Sequence, residues 1–357
     1  PEEVVLAPEL DIKGDLFAQK PSVGAVMTEK RTLQHQADNK VWRLYVDVSC
    51  TDAEHDGSSW AKAYRSINEA IEYFANVQAT DGVERFEILV REGDCYPRYS
   101  FTNLDPKTAT INVLKTERPL VIKGGYRVED DGSAARKPLE YRSVIDGNPK
   151  GKALEDGLYH CITVAEDANV EIDGFHVVGG YAVSSTYKSG AGMLVGKRAA
   201  VTVRNTVFEN NTAVEAAAIS AQDGSNLTLV NCVVNNNTNT TESASVIAAN
   251  NLTMHYVTVV NNKGAAPGGN YSTSFSAGNT FGSNNMQNLN TLSADGAKNF
   301  ANPTNAPGAT LGYDTYLGGY SEFRPLTSST DAAVLINKAN AVEGVTEDIS
   351  GKGRNLG

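Results

Sequence analysis

Apolar and polar residues alternate from Asn169 to Asn262 in one motif written four times. The copies read Val170-x-Ile172-x-x-Phe175-x-Val177, Val201-x-Val203-x-x-Thr206-x-Phe208, Leu227-x-Leu229-x-x-Cys232-x-Val234 and Leu252-x-Met254-x-x-Val257-x-Val259. Their first residues lie 31, 26 and 25 positions apart, which is a repeat period. Alternation at period two turns every second side chain to one face, and the extra residue inside each motif bends the chain and restores the inward direction. A third alternating stretch separates the copies: Met193-x-Val195, Ile219-x-Ala221 and Val246-x-Ala248. Three strands per turn of about 25 residues predict an all-β fold, a right-handed parallel β-helix with rungs roughly 4.8 Å apart. The Leu and Asn spacing of a leucine-rich repeat and the close hairpin turns of a sandwich are both missing.

Stacked rungs make columns. The outward column Glu171, Thr202, Thr228, Thr253 is mostly β-branched threonine, which suits a solvated strand face. Asn210-Asn211, Asn235-Asn236-Asn237 and Asn261-Asn262 fill the turn after the second strand, where stacked amides hydrogen-bond from rung to rung. Asn-x-Ser/Thr triplets at Asn210, Asn226, Asn236, Asn239, Asn251 and Asn270 are read as part of this ladder rather than as glycosylation acceptors.

Residues 1–40 lack a sustained period and read as an extended arm. Val41 to Val46 is a strand, and the serines of Asp56-Gly57-Ser58-Ser59-Trp60 are placed to cap a helix. The spacing of Tyr64, Ile67, Ala70, Ile71 and Phe74 predicts that helix over about 61–76, covering the open end of the solenoid. Phe86-x-Ile88-x-Val90 is read as the first rung strand; Leu120 to Tyr126, Ser143 to Asn148 and Ile162-x-Val164 supply further rung pieces. Beyond Asn262 the period weakens, with Phe275 and Phe281 as candidates for an irregular last rung. The expected division is an arm over 1–40, a β-helix over 41–298 and a wrapping cap over 299–357, acting as a monomer.

The formal net charge of -11 argues against nucleic acid or an anionic membrane as partner and leaves a polysaccharide open. No run of 18 apolar residues could span a bilayer. The start at Pro1 is read as the product of a trimmed targeting segment. Cys50, Cys95, Cys161 and Cys232 have no Cys-x-x-Cys spacing, so no metal site is expected; Cys50 and Cys95 border the first strands and are the pair to examine for a disulfide in an exported protein.

A β-helix lyase needs a base and a cation or Arg against a uronate carboxylate, and a glycosidase needs two carboxyls at a set separation. On the third sheet the outward positions are read as Leu194, Ser220 and Ile247, none fit for acid–base work. The strongest catalytic cluster is the outward column Asp173, Arg204, Val230, His255 with Glu171 beside it. A lyase would use Arg204 or His255 as base and Asp173 as a calcium ligand, although no motif supports calcium or any other cofactor. The bland alternative, an ion pair on a solvated face, is favoured. Tyr181, Tyr187 and Tyr271, in loops leaving the repeats, are candidate sugar-stacking rings, against loop packing as the plainer account. His160 and His176 are read as hydrogen-bonded rather than metal-binding.

The run Leu44-Tyr45-Val46-Asp47, then Asp56-Gly57-Ser58-Ser59-Trp60-Ala61-x-Ala63-Tyr64, Ile88-x-Val90-x-Glu92-Gly93 and Ile122-x-Gly124-Gly125-Tyr126 resembles the start of secreted bacterial right-handed β-helix repeat proteins. The tail, Phe300-x-Asn302-Pro303, Phe323-Arg324-Pro325 and Asp348-Ile349-x-Gly351-x-x-Arg354, is similar to the closing segment of anchored members of that group. The group shares its pectin-lyase-like fold with pectate lyases, other polysaccharide lyases, autotransporter passengers and adhesins. The resemblance implies an exported, envelope-associated protein; fold alone does not carry activity. The expectation is a non-catalytic adhesin or glycan-binding protein, with a lyase or glycoside hydrolase acting on a uronate-containing glycan as the alternative.

Overall fold

The computed structural model describes residues 40–77, 82–97, 105–129, 132–148, 152–241, 244–249, 251–260 and 262–263, with 286–287, 300–301, 313–316, 320–325, 344–347, 349, 351 and 353. The arm over 1–39, the rung sought at Phe275 and Phe281, Asn270 and Tyr271 lie outside them.

The four copies stack as parallel strands. In the first sheet Val170, Val201, Leu227 and Leu252 are register partners, as are Ile172, Val203, Leu229 and Met254. All eight are buried in one continuous core. That sheet runs, in spatial order, Val41–Val46, Arg85–Arg91, Leu120–Val128, Asn169–Asp173, Ala200–Arg204, Asn226–Val230, Asn251–His255. A second parallel sheet carries Ser143–Asp146, Phe175–Val178, Val207–Glu209 and Val233–Asn235, and a third carries Ile111–Val113, Ile162–Val164, Met193–Val195, Ile219–Ala221 and Ile247–Ala248. One turn visits all three sheets before the next begins.

The bend between first and second strands is a single residue in the left-handed region: Gly174, Asn205, Asn231 and Tyr256. After the second strand, a buried asparagine ladder climbs the corner. Asn211 Nδ2 donates to Asn237 Oδ1 at 3.0 Å, and Asn237 Nδ2 donates to Asn262 Oδ1 at 3.0 Å. Each acceptor oxygen also takes the backbone N–H of the asparagine one rung below. Asn211 and Asn237 are fully buried, so the amides satisfy turn groups that water cannot reach.

Three expectations need correction. The first rung begins one strand earlier than Phe86: Val41–Val46 pairs in parallel with Arg85–Arg91. The helix spans Ile67–Asn76, and its cap is Ser66, whose Oγ accepts from Asn68 N, rather than Ser58 or Ser59. Residues before it give their backbone to the exposed edge instead: Tyr64 N donates to Tyr45 O, and Asp47 N to Tyr64 O. On the third sheet Ile247, not Val246, stacks on Ile219, so Ala248 takes the outward place read for Ile247.

The helix closes the N-terminal end as its apolar stripe requires. Ile67, Ala70, Ile71 and Phe74 are buried, and Phe74 stacks on Phe86 with ring centroids 4.3 Å apart. Asn68 is turned inward, donating to Thr110 O and accepting from Asn112 N, which satisfies the edge of the third sheet. In the tail, Tyr313–Tyr316 and Tyr320–Pro325 form an antiparallel hairpin. All four cysteines are free thiols; Cys50 and Cys95 turn to separate carbonyls, Ala61 O and Gly93 O.

Candidate functional site

The outward face of the first sheet collects most of the ionic side chains outside the loops. One column runs Arg43, Glu87, Val121, Glu171, Thr202, Thr228, Thr253. Its neighbour runs Tyr45, Leu89, Lys123, Asp173, Arg204, Val230, His255. Asp173, Arg204 and His255 therefore share one column, as their spacing implies.

Their partners, however, cross between columns. Glu87, its side chain 2% exposed, accepts from Arg43 Nε at 2.7 Å and Lys123 Nζ at 3.0 Å, and pairs with Arg85 Nη2 at 2.9 Å. Burial pushes its pKa up, but the hydrogen bonds from Arg43 and Lys123 outweigh it and hold the carboxyl below its ordinary value. Asp173 Oδ1 is met by Arg136 Nη2 and Asn205 Nδ2, each at 2.8 Å. Arg204 turns away from Asp173 and donates from Nε to Glu171 Oε2 at 3.1 Å. His255 is kept neutral by burial first and then by the Arg204 charge, both of which lower its pKa.

Arg136 reaches the column from the strand Ala134–Arg136, antiparallel to Leu120–Val128. It crosses Gly174, where a Cβ would lie 2.5 Å from its Nη2 and where φ is +84°, so the close approach of the guanidinium calls for glycine at this bend. It also donates to Gly124 O and Asp173 O, and its guanidinium lies 5.8 Å from the Tyr126 ring centroid.

Tyr126 opens a feature that sequence reasoning missed. Tyr45, Trp60 and Tyr126 form a run of half-buried rings, with centroids 4.9 Å apart between Tyr45 and Trp60 and 5.6 Å between Trp60 and Tyr126. The segment Gly57 to Tyr64, bonded along the edge strand, places Trp60 over Tyr45. The one available signal was the outward phase of Tyr45 in its strand; Trp60 and Tyr126 approach it only through the fold.

The loop tyrosines are elsewhere. Tyr187 stacks on Tyr159 at 4.3 Å and meets the His160 ring edge-on at 5.6 Å. The turn Ser184 to Tyr187 holds it there, with Ser184 Oγ accepting from Tyr187 N. Tyr181 is half-buried in the short strand Tyr181–Ala182. His160 Nδ1 bonds Gly190 O. On the second sheet, His176 is buried with its pKa driven to about 3 by burial and by Arg142.

Chemically, the first-sheet wall sets half-buried rings beside a network of ion pairs, in which Arg43, Arg85 and Lys123 share Glu87, Arg136 meets Asp173 and Arg204 meets Glu171. Among the described residues no group of three or more His, Cys, Asp or Glu is arranged to hold a metal, and Asp173 spends one oxygen on Arg136 and Asn205.

No helix among the described residues is long and apolar enough to cross a membrane. A family model described as a right-handed beta helix region matches residues 150–303. No curated protein and no solved structure matches the chain. The matched segment contains the four stacked copies, and with the parallel sheets it supports an all-β fold, a right-handed parallel β-helix with a helix at its N-terminal end.

Proposed function

We propose that this is a non-catalytic, secreted or cell-surface β-helix protein of the adhesin kind that binds polysaccharide on the first-sheet wall. The observation that carries the reading is the ring run Tyr45, Trp60, Tyr126 flanked by Lys123 and Arg136. Sugar rings stack on aromatic faces through their C–H bonds, and fixed cations orient hydroxyls or carboxylates beside them. The wall residues Arg43, Arg85, Lys123, Arg136 and Arg204 outnumber Glu87, Glu171 and Asp173, on a chain whose net charge is -11. Export is supported by the resemblance of the N-terminal and tail motifs. A glycan array should give at least one polysaccharide ligand, lost in Trp60→Ala, without chain cleavage; absence of any ligand removes the reading.

One observation favours a hydrolase over a lyase as the second reading. On the second sheet Asp146, Val178 and Glu209 share a column, which separates the two carboxyl-bearing residues by two rungs, roughly 10 Å. Inverting glycosidases hold their carboxyls about 6.5–9.5 Å apart, so this reading needs the two side chains to lean toward each other from a backbone spacing just above that range. Burial raises the Glu209 pKa against the opposing hydrogen bond from Asn235 and the charge of Arg142, as a general acid requires. Reducing-end release abolished by Glu209→Gln would establish this reading and displace the first.

A further inference from the structure

Where the chain crosses from the second sheet to the third, one rung carries an excursion that the repeat does not need. Ala182 pairs with Ala213 and Ser189 bridges to Glu215, so residues 183–188 stand where the next rung has Val214 alone. Those five surplus residues are the whole difference between the first repeat spacing, 31, and the second, 26. The turn they make is held at both ends: Ser184 N donates to Tyr187 O at 3.0 Å, and Ser184 Oγ accepts from Tyr187 N at 2.8 Å. It presents the half-buried Tyr187 ring, stacked on the half-buried Tyr159 of the preceding rung with 21° between the ring planes. Tyr159 is itself fixed by a hydrogen bond from its hydroxyl to the Asp105 carboxylate. Beside the pair, His160 is only 7% exposed and carries an independent deficit. Burial keeps its ring neutral, and Gly190 O can only accept, so Nδ1 holds the proton. Its Nε2 is then an acceptor, enclosed with no hydrogen-bond partner, and such a group is destabilising until a donor meets it.

We propose that Tyr159, Tyr187 and His160 form a second carbohydrate subsite, in which a neutral pyranose lies on the tyrosine pair and gives one hydroxyl to His160 Nε2. The inference shares with the first-sheet wall only the premise that the ligand is a polysaccharide, since none of its residues belongs to that wall. A hydroxyl-rich ring suits both halves of the site: its C–H face stacks on tyrosine, and its hydroxyls donate to an uncharged acceptor. The Asp105 carboxylate behind Tyr159 disfavours a uronate there. The clasp at Ser184 sets Tyr187 before the ligand arrives, so less ordering entropy opposes binding. Because the two platforms lie on different faces of the solenoid, one molecule holds two polymer strands and gains avidity on a surface that offers both.

The test is saturation-transfer NMR of xylohexaose and cellohexaose on the full chain, as wild type, Trp60→Ala, Tyr187→Ala and the double variant, with urea unfolding as the control for folding. Trp60→Ala removes the wall platform. The expected result is transfer to at least one probe that survives in Trp60→Ala and falls several-fold in the double variant, with unfolding unchanged and the nitrogen-15 resonance of His160 Nε2 displaced by the sugar. Removing residues 184–188, which restores the spacing of the next rung, should act as Tyr187→Ala does. Transfer abolished by Trp60→Ala alone overturns the second subsite and leaves the wall standing. Transfer that neither Tyr187→Ala nor the shortened turn weakens in the Trp60→Ala background overturns it as well, and a bound sugar that leaves His160 Nε2 unmoved removes the hydroxyl contact that defines the site. Transfer indifferent to Trp60→Ala and lost in Tyr187→Ala keeps the subsite and overturns the wall. No transfer in any of the proteins overturns the subsite, while the wall stands or falls on the glycan array.

Discussion

At Glu87 one enclosed carboxylate faces Arg43, Arg85 and Lys123, whereas at Glu171 a half-open carboxylate faces, among the described residues, Arg204. Removing a buried partner strands the charges around it, while an exposed pair is screened by water. Glu87→Gln should therefore destabilise the fold by about 3 kcal/mol in urea unfolding, and Glu171→Gln by under about 1 kcal/mol. His176 sets a pH dependence of its own. Its folded pKa lies near 3, and Arg142 and the Pro138 carbonyl are the groups that bear on it besides burial. The unfolded imidazole takes up a proton near pH 6.5, so the unfolded state binds more protons below that value. The stability is complete above pH 6.5 and is lost as pH falls toward 3, with a slope of up to about 1.4 kcal/mol per pH unit. His176→Leu should flatten urea midpoints measured between pH 6.5 and 4.5. The carboxylates Asp47 and Glu87, both held below their ordinary values, lose their contribution only below about pH 4.

Elements hold together through backbone groups that side chains complete. Asn237 serves the rung on either side: its carbonyl oxygen takes Asn211 N and Nδ2, and its amide nitrogen bonds Phe208 O and Asn262 Oδ1. Asn237→Ala should cost about 2–4 kcal/mol, since each abandoned buried polar group costs about 1–3 kcal/mol. Asn210→Gly, in the exposed neighbouring stack with Asn236, should change thermal unfolding little. The ladder and the strand register were legible because inward positions repeat unchanged through Val170, Val201, Leu227 and Leu252. The register slip at Val246 was not: Val246, Ile247 and Ala249 are all buried, and period two cannot choose among consecutive apolar residues. The helix start was misplaced for a tertiary reason. Tyr64 has helical spacing to Ile67 and Ile71, yet its backbone is claimed by the edge of Val41–Val46.

For the whole molecule, the solenoid could be read from one repeated motif because each rung repeats the same burial problem. The wall could be read only in part. Asp173, Arg204 and His255 share a column because strand register follows from sequence, but the partner Arg136 enters from an antiparallel excursion that no period encodes. Tyr45, Trp60 and Tyr126 likewise meet through an edge-covering loop and two different rungs. The chain has two tryptophans, and they separate cleanly: Trp42 is buried among Tyr73, Phe74 and Phe86, while Trp60 lies on the wall. Titrating the polysaccharide selected on the array while following tryptophan emission tests the wall directly. A saturable change that disappears in Trp60→Phe, with Trp42 untouched, is the predicted result; binding that proceeds with the emission of Trp60 unaltered would contradict it.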